Sequence, residues 1–301
     1  MKTTQRSHSK GILLILLSAL LLGSYGVWSR LLGDSFDGFS QGWIRSLLVC
    51  IILLPIVLYK KQLVSIKRKD WKWLTVFLIA PSVTQAPIFY AFNNMDIGTA
   101  TLLLFVSLLI TMYVVGFFFL KEKVSSDKLF SLGLAIVGLL LIFSFSLEKF
   151  SLLPAAMASL VGIASGLQVS FSKKLSSSYS AFYLSFLSWL VIIPSHGLAA
   201  LWFGEQHIPP LFDITWIYLL GYAFAGLFAF LFYIIGLKYI EASAGGLIGL
   251  TEIIFGILFG ILFFGEILTV RILVGAFLVI TAAALPDIND FVRQRKRRKK
   301  N

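Results

Sequence analysis

Apolar residues run along this chain in blocks about as long as a bilayer is thick, and polar residues are confined to the gaps between them. Scanned with a window of about 19 residues, the pattern predicts ten transmembrane helices. They fall at 11–32, 38–59, 72–93, 97–120, 128–146, 151–172, 179–203, 214–237, 243–264 and 269–285. Most connections are short, so consecutive helices should be antiparallel neighbours in one all-α bundle, and no stretch is left for a soluble domain. The first run follows a charged segment, as a secretory signal would. It is long enough to span, however, and no small-x-small cleavage site follows it, so it reads as a membrane helix.

Composition agrees with this pattern: 58% of the 301 residues are hydrophobic and 13% charged, with a mean hydropathy of +0.90, too little polar surface to cover a soluble globule. The net charge of +12 matters through its placement. With the N-terminus in the cytoplasm, 22 of the 26 basic residues lie on the cytoplasmic side, and only Arg30, Lys149 and Arg271 on the other. That asymmetry predicts a protein of the cytoplasmic membrane with both termini inside. The tail 286–301 carries Arg293, Arg295, Lys296, Arg297, Arg298, Lys299 and Lys300. Nucleic acid could attract such a run, but a juxtamembrane anchor to anionic lipid explains it without a further partner. The single Cys50 has no partner for an intrachain disulfide and no neighbours with zinc-ligand spacing.

The chain also resembles itself. Phe89-Tyr90 recurs as Phe232-Tyr233, Ile97 as Ile240, Glu122 as Glu266 and Gly133 as Gly275, at offsets of 143, 143, 144 and 142 residues. Five helices per half give the second copy the opposite orientation, so residues 11–146 and 151–285 are expected to be inverted repeats, an arrangement common among secondary transporters.

Several of these residues resemble the EamA-type, ten-helix members of the drug/metabolite transporter superfamily. The stretch from Leu250 through Gly265-Glu266, followed by Gly275, is similar to the family helix that ends in Gly-Glu or Lys-Glu before a short loop. Phe119-Leu120-Lys121-Glu122 is its counterpart in the first half, and Arg45 falls where family members commonly carry an arginine in the second helix. Two positions depart from the pattern: Glu252 stands where proline is usual, and Tyr25-Gly26 where Trp-Gly is common. The resemblance implies a transporter fold and leaves the substrate open.

Candidate chemistry is sparse. Arg45 and Glu252 are the two formal charges well inside predicted spans, and each costs roughly 2.5–3.5 kcal/mol in hydrocarbon unless it meets a partner or a watery cavity. Glu252 is expected near mid-membrane, where it could carry a proton coupled to substrate occupancy or serve as one half of a structural pair. Arg45 could hold the carboxylate of an organic anion through its planar fork or neutralise Glu252. Gln85, between Pro81 and Pro87, with Tyr90, Gln168, Tyr222 and Tyr233, could complete a binding cavity. Trp28, Trp43, Asn93 and Asn94 read more simply as belt and helix-end residues, and His196 as a packing residue.

No phosphate-binding loop with its lysine and no clustered metal-ligand set is present, so neither a catalytic residue nor a metal or cofactor is assigned. The expected function is secondary transport of a small-molecule metabolite, most simply export of amino acids by alternating access. A membrane scaffold or a lipid-processing protein is the alternative.

Overall fold

The computed structural model describes residues 2–144 and 150–300, with side chains placed for 7–144, 150–286, 288 and 289. Lys149 and the basic side chains of the tail lie outside these described residues. The helices are α1 (Lys2–Gly23), α2 (Tyr25–Leu32), α3 (Gly38–Tyr59), α4 (Trp71–Ser82), α5 (Gln85–Asn94), α6 (Ile97–Leu120) and α7 (Ser126–Phe143) in the first half. The second half holds α8 (Leu152–Leu175), α9 (Ala181–Phe203), α10 (Thr215–Gly236), α11 (Ala242–Gly249), α12 (Thr251–Phe264) and α13 (Val270–Lys300). A 3-10 turn at Arg68–Asp70 leads into α4, and no strand occurs among the described residues. Taking α1–α2, α4–α5 and α11–α12 as single interrupted spans gives the ten expected crossings. Among the described residues nine are long and apolar enough to cross a bilayer unaided, and the tenth, Val270–Pro286, is shorter. A 22-residue helix such as α3 reaches about 33 Å, matching a hydrocarbon core of about 30 Å.

Three predicted helices are therefore broken, at Ser24, at Val83-Thr84 and at Leu250. A break frees backbone carbonyls that lipid cannot satisfy. At each break a hydroxyl does so locally: Ser24 donates to the Leu21 carbonyl (2.6 Å), Thr84 to Pro81 (3.1 Å) and Thr251 to Ile248 (2.7 Å). The second break also falls between Pro81, which lacks an amide hydrogen, and Pro87 in the first turn of α5, where none is needed.

The apolar cores do not follow the sequence halves. One joins α3 and α4 to α8, α9 and α10 through Val49, Leu53, Phe77, Leu175, Leu184, Leu227 and Ile234. Another joins α6 and α7 to α11, α12 and α13 through Leu109, Leu139, Leu247, Ile253 and Val279, and smaller clusters tie α1 to α10 and α11 and α5 to α6 and α8. Both larger clusters thus mix helices of the two sequence halves.

The first cluster is clamped at both ends. On one face Glu205 accepts from the Phe39 and Ser40 amides at the start of α3 (2.9 and 2.6 Å), and Asp37 accepts from the Gln206 and His207 amides (both 3.0 Å). Those bonds, His207 first, hold the Asp37 carboxyl below the usual carboxylate range. On the other face Ser180 donates to Gln62 (2.6 Å) and Tyr179 to Asp70 (3.0 Å). In the second cluster α7 and α13 meet backbone to backbone. A Cβ on Gly138 would lie 2.8 Å from the Gly275 carbonyl, and one on Gly275 2.7 Å from that of Gly138. Gly133, matched to Gly275 by sequence, faces open space instead, so that match has no counterpart in the packing.

Candidate functional site

The helices enclose a central cavity of about 380 Å³. Its walls come from α1–α2, α3, α4–α5, α6, α8, α9, α10 and α11–α12. Arg45, Gln85, Gln168, Tyr233 and Glu252 all line it, so five of the seven residues singled out in the sequence are brought together.

The wall formed by α3 and α9 is rich in donors without acceptors. Arg45 Nε, Trp189 Nε1 and both ring nitrogens of His196 are buried and unpartnered. A neutral imidazole carries one N–H, so His196 adds at least one unanswered donor. Each such group costs about 1–3 kcal/mol if it stays unpaired, which makes this cluster unusual for a wall that only has to pack. Arg45 lies over the Tyr222 ring at 4.1 Å and within reach of the Tyr25 and Trp189 rings at 5.7 and 5.8 Å. These aromatic faces spread the cost of its charge, and the Arg45 Nε–H is left without a partner. Tyr222 thus belongs to the site as the support of Arg45, edge-on to Tyr25 at 4.6 Å, and does not itself line the cavity.

Glu252 lines the same cavity from α12. Sequence reasoning placed it within a continuous helix. The break at Leu250 puts it instead in the first turn of α12, where free amides and the helix dipole favour a carboxylate. No ion pair joins Glu252 to Arg45 among the described residues, so the structural pairing considered for them is not made in this conformation.

Amides and hydroxyls fill in between. Gln168 donates to Ser188 (2.9 Å), Gln85 reaches the Gly38 carbonyl weakly (3.5 Å), and Tyr233 donates to Gly245 (2.9 Å), fixing the carbonyl side of α11. Tyr90 is placed elsewhere. It is half exposed and borders a separate apolar pocket with Phe39, Phe89 and Phe203, because the turn from Gln85 carries it around α5 and away from the bundle axis. Asn93 and Asn94 are exposed at the end of α5, and Trp28 bonds Ser24 and packs on Gly221.

A second cavity of about 500 Å³ adjoins the first and shares Leu22, Tyr25, Phe105 and Glu252 with it. It runs between α2, α7 and α12 to an ion pair of Arg30 with Glu266 at the face opposite the termini. Glu252 and Tyr25 therefore stand at the partition between the two spaces. Towards the termini the bundle is sealed by Glu122, which accepts from Lys173 (2.9 Å), the amides of Ala242 (2.6 Å) and Ser243 (3.2 Å), and the Ser243 hydroxyl (3.0 Å). Burial alone would raise the Glu122 pKa, but Lys173 and the Ala242 amide outweigh it and hold the carboxyl below its ordinary value.

Trp189 and the unpaired state of His196 were not identified from sequence. A lone tryptophan in an apolar run carries no signal there, and only its register with Arg45 across α3 and α9 exposes the cluster.

An all-helical, ten-span bundle around a cavity that holds Arg45 and Glu252 among largely apolar walls defines a polytopic membrane protein of transporter type. The model of the EamA-like transporter family matches the chain over residues 9–144 and again over 152–285, and the chain belongs to this family. Two Helicobacter pylori proteins, of strains J99 and 26695, each named an uncharacterized transporter, are 26% identical to it over 298 residues, covering 95% of this chain and 97% of theirs. A protein of Archaeoglobus fulgidus with the same name is 24% identical over 282 residues, covering 90% of this chain and 94% of its own. A solved crystal structure superposes with a TM-score of 0.77 over 91% of this chain and 96% of that one at 13% identity, a likeness of fold. The protein is a multi-pass membrane transporter of a small molecule built from two inverted five-helix repeats.

Proposed function

We propose that the protein exports amino acids or closely related zwitterionic metabolites across the cytoplasmic membrane by alternating access, with Glu252 exchanging a proton during the cycle. The observation that carries this reading is the division of one cavity into a donor wall, with Arg45, Trp189 and His196, and an acid wall with Glu252. A solute with a carboxylate at one end and an ammonium at the other answers both walls at once. An anion or a cation alone leaves one charge uncompensated at mid-membrane. Aromatic surface from Tyr25, Trp189, Phe230 and Tyr233 then suits an apolar side chain.

When no solute is present, the acid wall needs a cation or a proton of its own, so solute and proton compete for Glu252. Such competition is the minimal requirement for antiport, in which solute leaves as a proton enters. The excess of basic residues on the termini-bearing face supports placing both termini in the cytoplasm, and the basic helical end of α13 would then meet anionic lipid on that side. In this orientation the second cavity is the outer vestibule.

Flux tests the reading. Liposomes containing the protein and loaded with a panel of labelled metabolites should release amino acids, and release should be faster when an inwardly directed proton gradient is imposed. No movement of any solute in the panel would favour the alternative of a membrane scaffold or lipid-processing protein.

A further inference from the structure

The ends of α6 and α12 are built alike. Lys121 and Gly265 both take left-handed backbone (φ 61° and 65°), and the next amide, of Glu122 or Glu266, bonds back to Gly116 or Gly260 (2.9 and 3.2 Å). Each glutamate then folds over that glycine so closely that a Cβ there would meet its carboxylate. The offset between the two motifs is 144 residues at every position. Their cations correspond as well: Lys173 bonds Glu122, Arg30 bonds Glu266, and the two basic residues are 143 apart.

The likeness stops at the third partner. Glu122 caps the N-terminal turn of α11 through Ala242 and Ser243, and Lys173 also holds the Ile240 carbonyl (2.6 Å). The repeat-related turn is the start of α6, since Ile97 corresponds to Ile240. There Thr99 takes its cap from Asp96 (2.9 Å), and among the described residues the Glu266 side chain bonds Arg30 alone. One end of the bundle is therefore locked by three elements, and the other carries the same two charged residues without the third.

We infer that Arg30 and Glu266 are the outer counterpart of the Lys173–Glu122 lock, and that the outer end closes when the first turn of α6 docks on Glu266 as α11 now sits on Glu122. Asp96 keeps the α6 amide satisfied while the outer end is open. Closing there exchanges one carboxylate for another, and opening the inner end releases Ala242 and Ser243. The inference rests on two-sided access and is independent of which solute is carried, so failure of the amino-acid assignment leaves it standing.

The test is access to a reporter, Ser165→Cys in the central cavity of a Cys50→Ser protein, by a membrane-impermeant thiol reagent applied to right-side-out and inside-out vesicles. Glu266→Gln weakens outer closure and should raise the ratio of outer to inner labelling roughly three- to tenfold, while Glu122→Gln should lower it by a similar factor. An unchanged ratio in Glu266→Gln, or a shift in the same direction as Glu122→Gln, overturns the proposal. A second variant keeps all four charges: Ile97→Cys with Ile267→Cys, both positions being exposed, joined by a short bis-maleimide. Cross-linked protein should lose outer labelling of the reporter and keep inner labelling. Failure to cross-link, or outer labelling that survives it, contradicts the lock.

Discussion

Arg45 on α3 and Glu252 on α12 line one cavity, and among the described residues they form no ion pair with each other. Two opposite charges at mid-membrane would ordinarily pair to limit their desolvation. Keeping them apart leaves each available to something that enters the cavity, and the aromatic rings around Arg45 make the separation tolerable.

Replacing Arg45 by Lys keeps the charge and removes the planar fork. Solute affinity should fall about tenfold or more, as loss of a charged hydrogen bond worth about 1.5–3 kcal/mol predicts, while protein yield and thermal midpoint stay near those of the parent. Binding of labelled solute to purified protein checks this. Unchanged affinity would remove Arg45 from the site.

Glu252→Gln removes the exchangeable proton and preserves size. Net transport should lose its dependence on pH, while exchange of labelled for unlabelled solute, which needs no net proton movement, should persist. A pH profile that retains the parent's shape would exclude Glu252 from coupling.

The seal at Glu122 has its own pH signature. The carboxyl is held below its ordinary value in the folded protein, so its contribution is complete above the unfolded value and is lost as pH falls through the lowered one. Thermal midpoints measured from neutral to acid pH should drop more steeply for the parent than for Glu122→Gln. Lys173→Met leaves Glu122 buried without its cation and should destabilise towards the lower end of about 3–5 kcal/mol, since Lys173 keeps some solvent contact.

The contact between α7 and α13 offers a packing test. Gly138→Ala places a methyl against backbone at 2.8 Å and should cost about 1–3 kcal/mol, whereas Gly133→Ala, facing open space, should be neutral or slightly stabilising through helix propensity. Equal effects would mean that the glycine crossing is looser than described.

Much of this was legible in the chain, for physical reasons. The length of apolar runs is set by the bilayer, so all ten spans could be read from hydropathy. The repeat was visible because Glu122 and Glu266 end equivalent helices at a fixed offset. Two buried charges in hydrocarbon drew attention to Arg45 and Glu252. The breaks at Ser24 and Leu250 were not legible, because a serine or threonine that bonds back one turn looks like any other in a span, whereas Pro81 and Pro87 did mark the break beside Gln85. The breaks decide where Glu252 sits and why Tyr90 turns away from the cavity. The mixing of repeats in each apolar core was hidden too, since apolar faces carry no record of their partners. Trp189 and His196 gained meaning only when α9 was placed against α3.

The central claim is that one solute answers both walls of the cavity. Competition in reconstituted liposomes tests it with three ligands of equal skeleton: an amino acid, the amine lacking its carboxylate, and the acid lacking its amino group. The account predicts that the amino acid inhibits labelled amino-acid flux and that both truncated analogues are at least about tenfold weaker, each losing one charged contact. Equal inhibition by either analogue would contradict recognition by both Arg45 and Glu252.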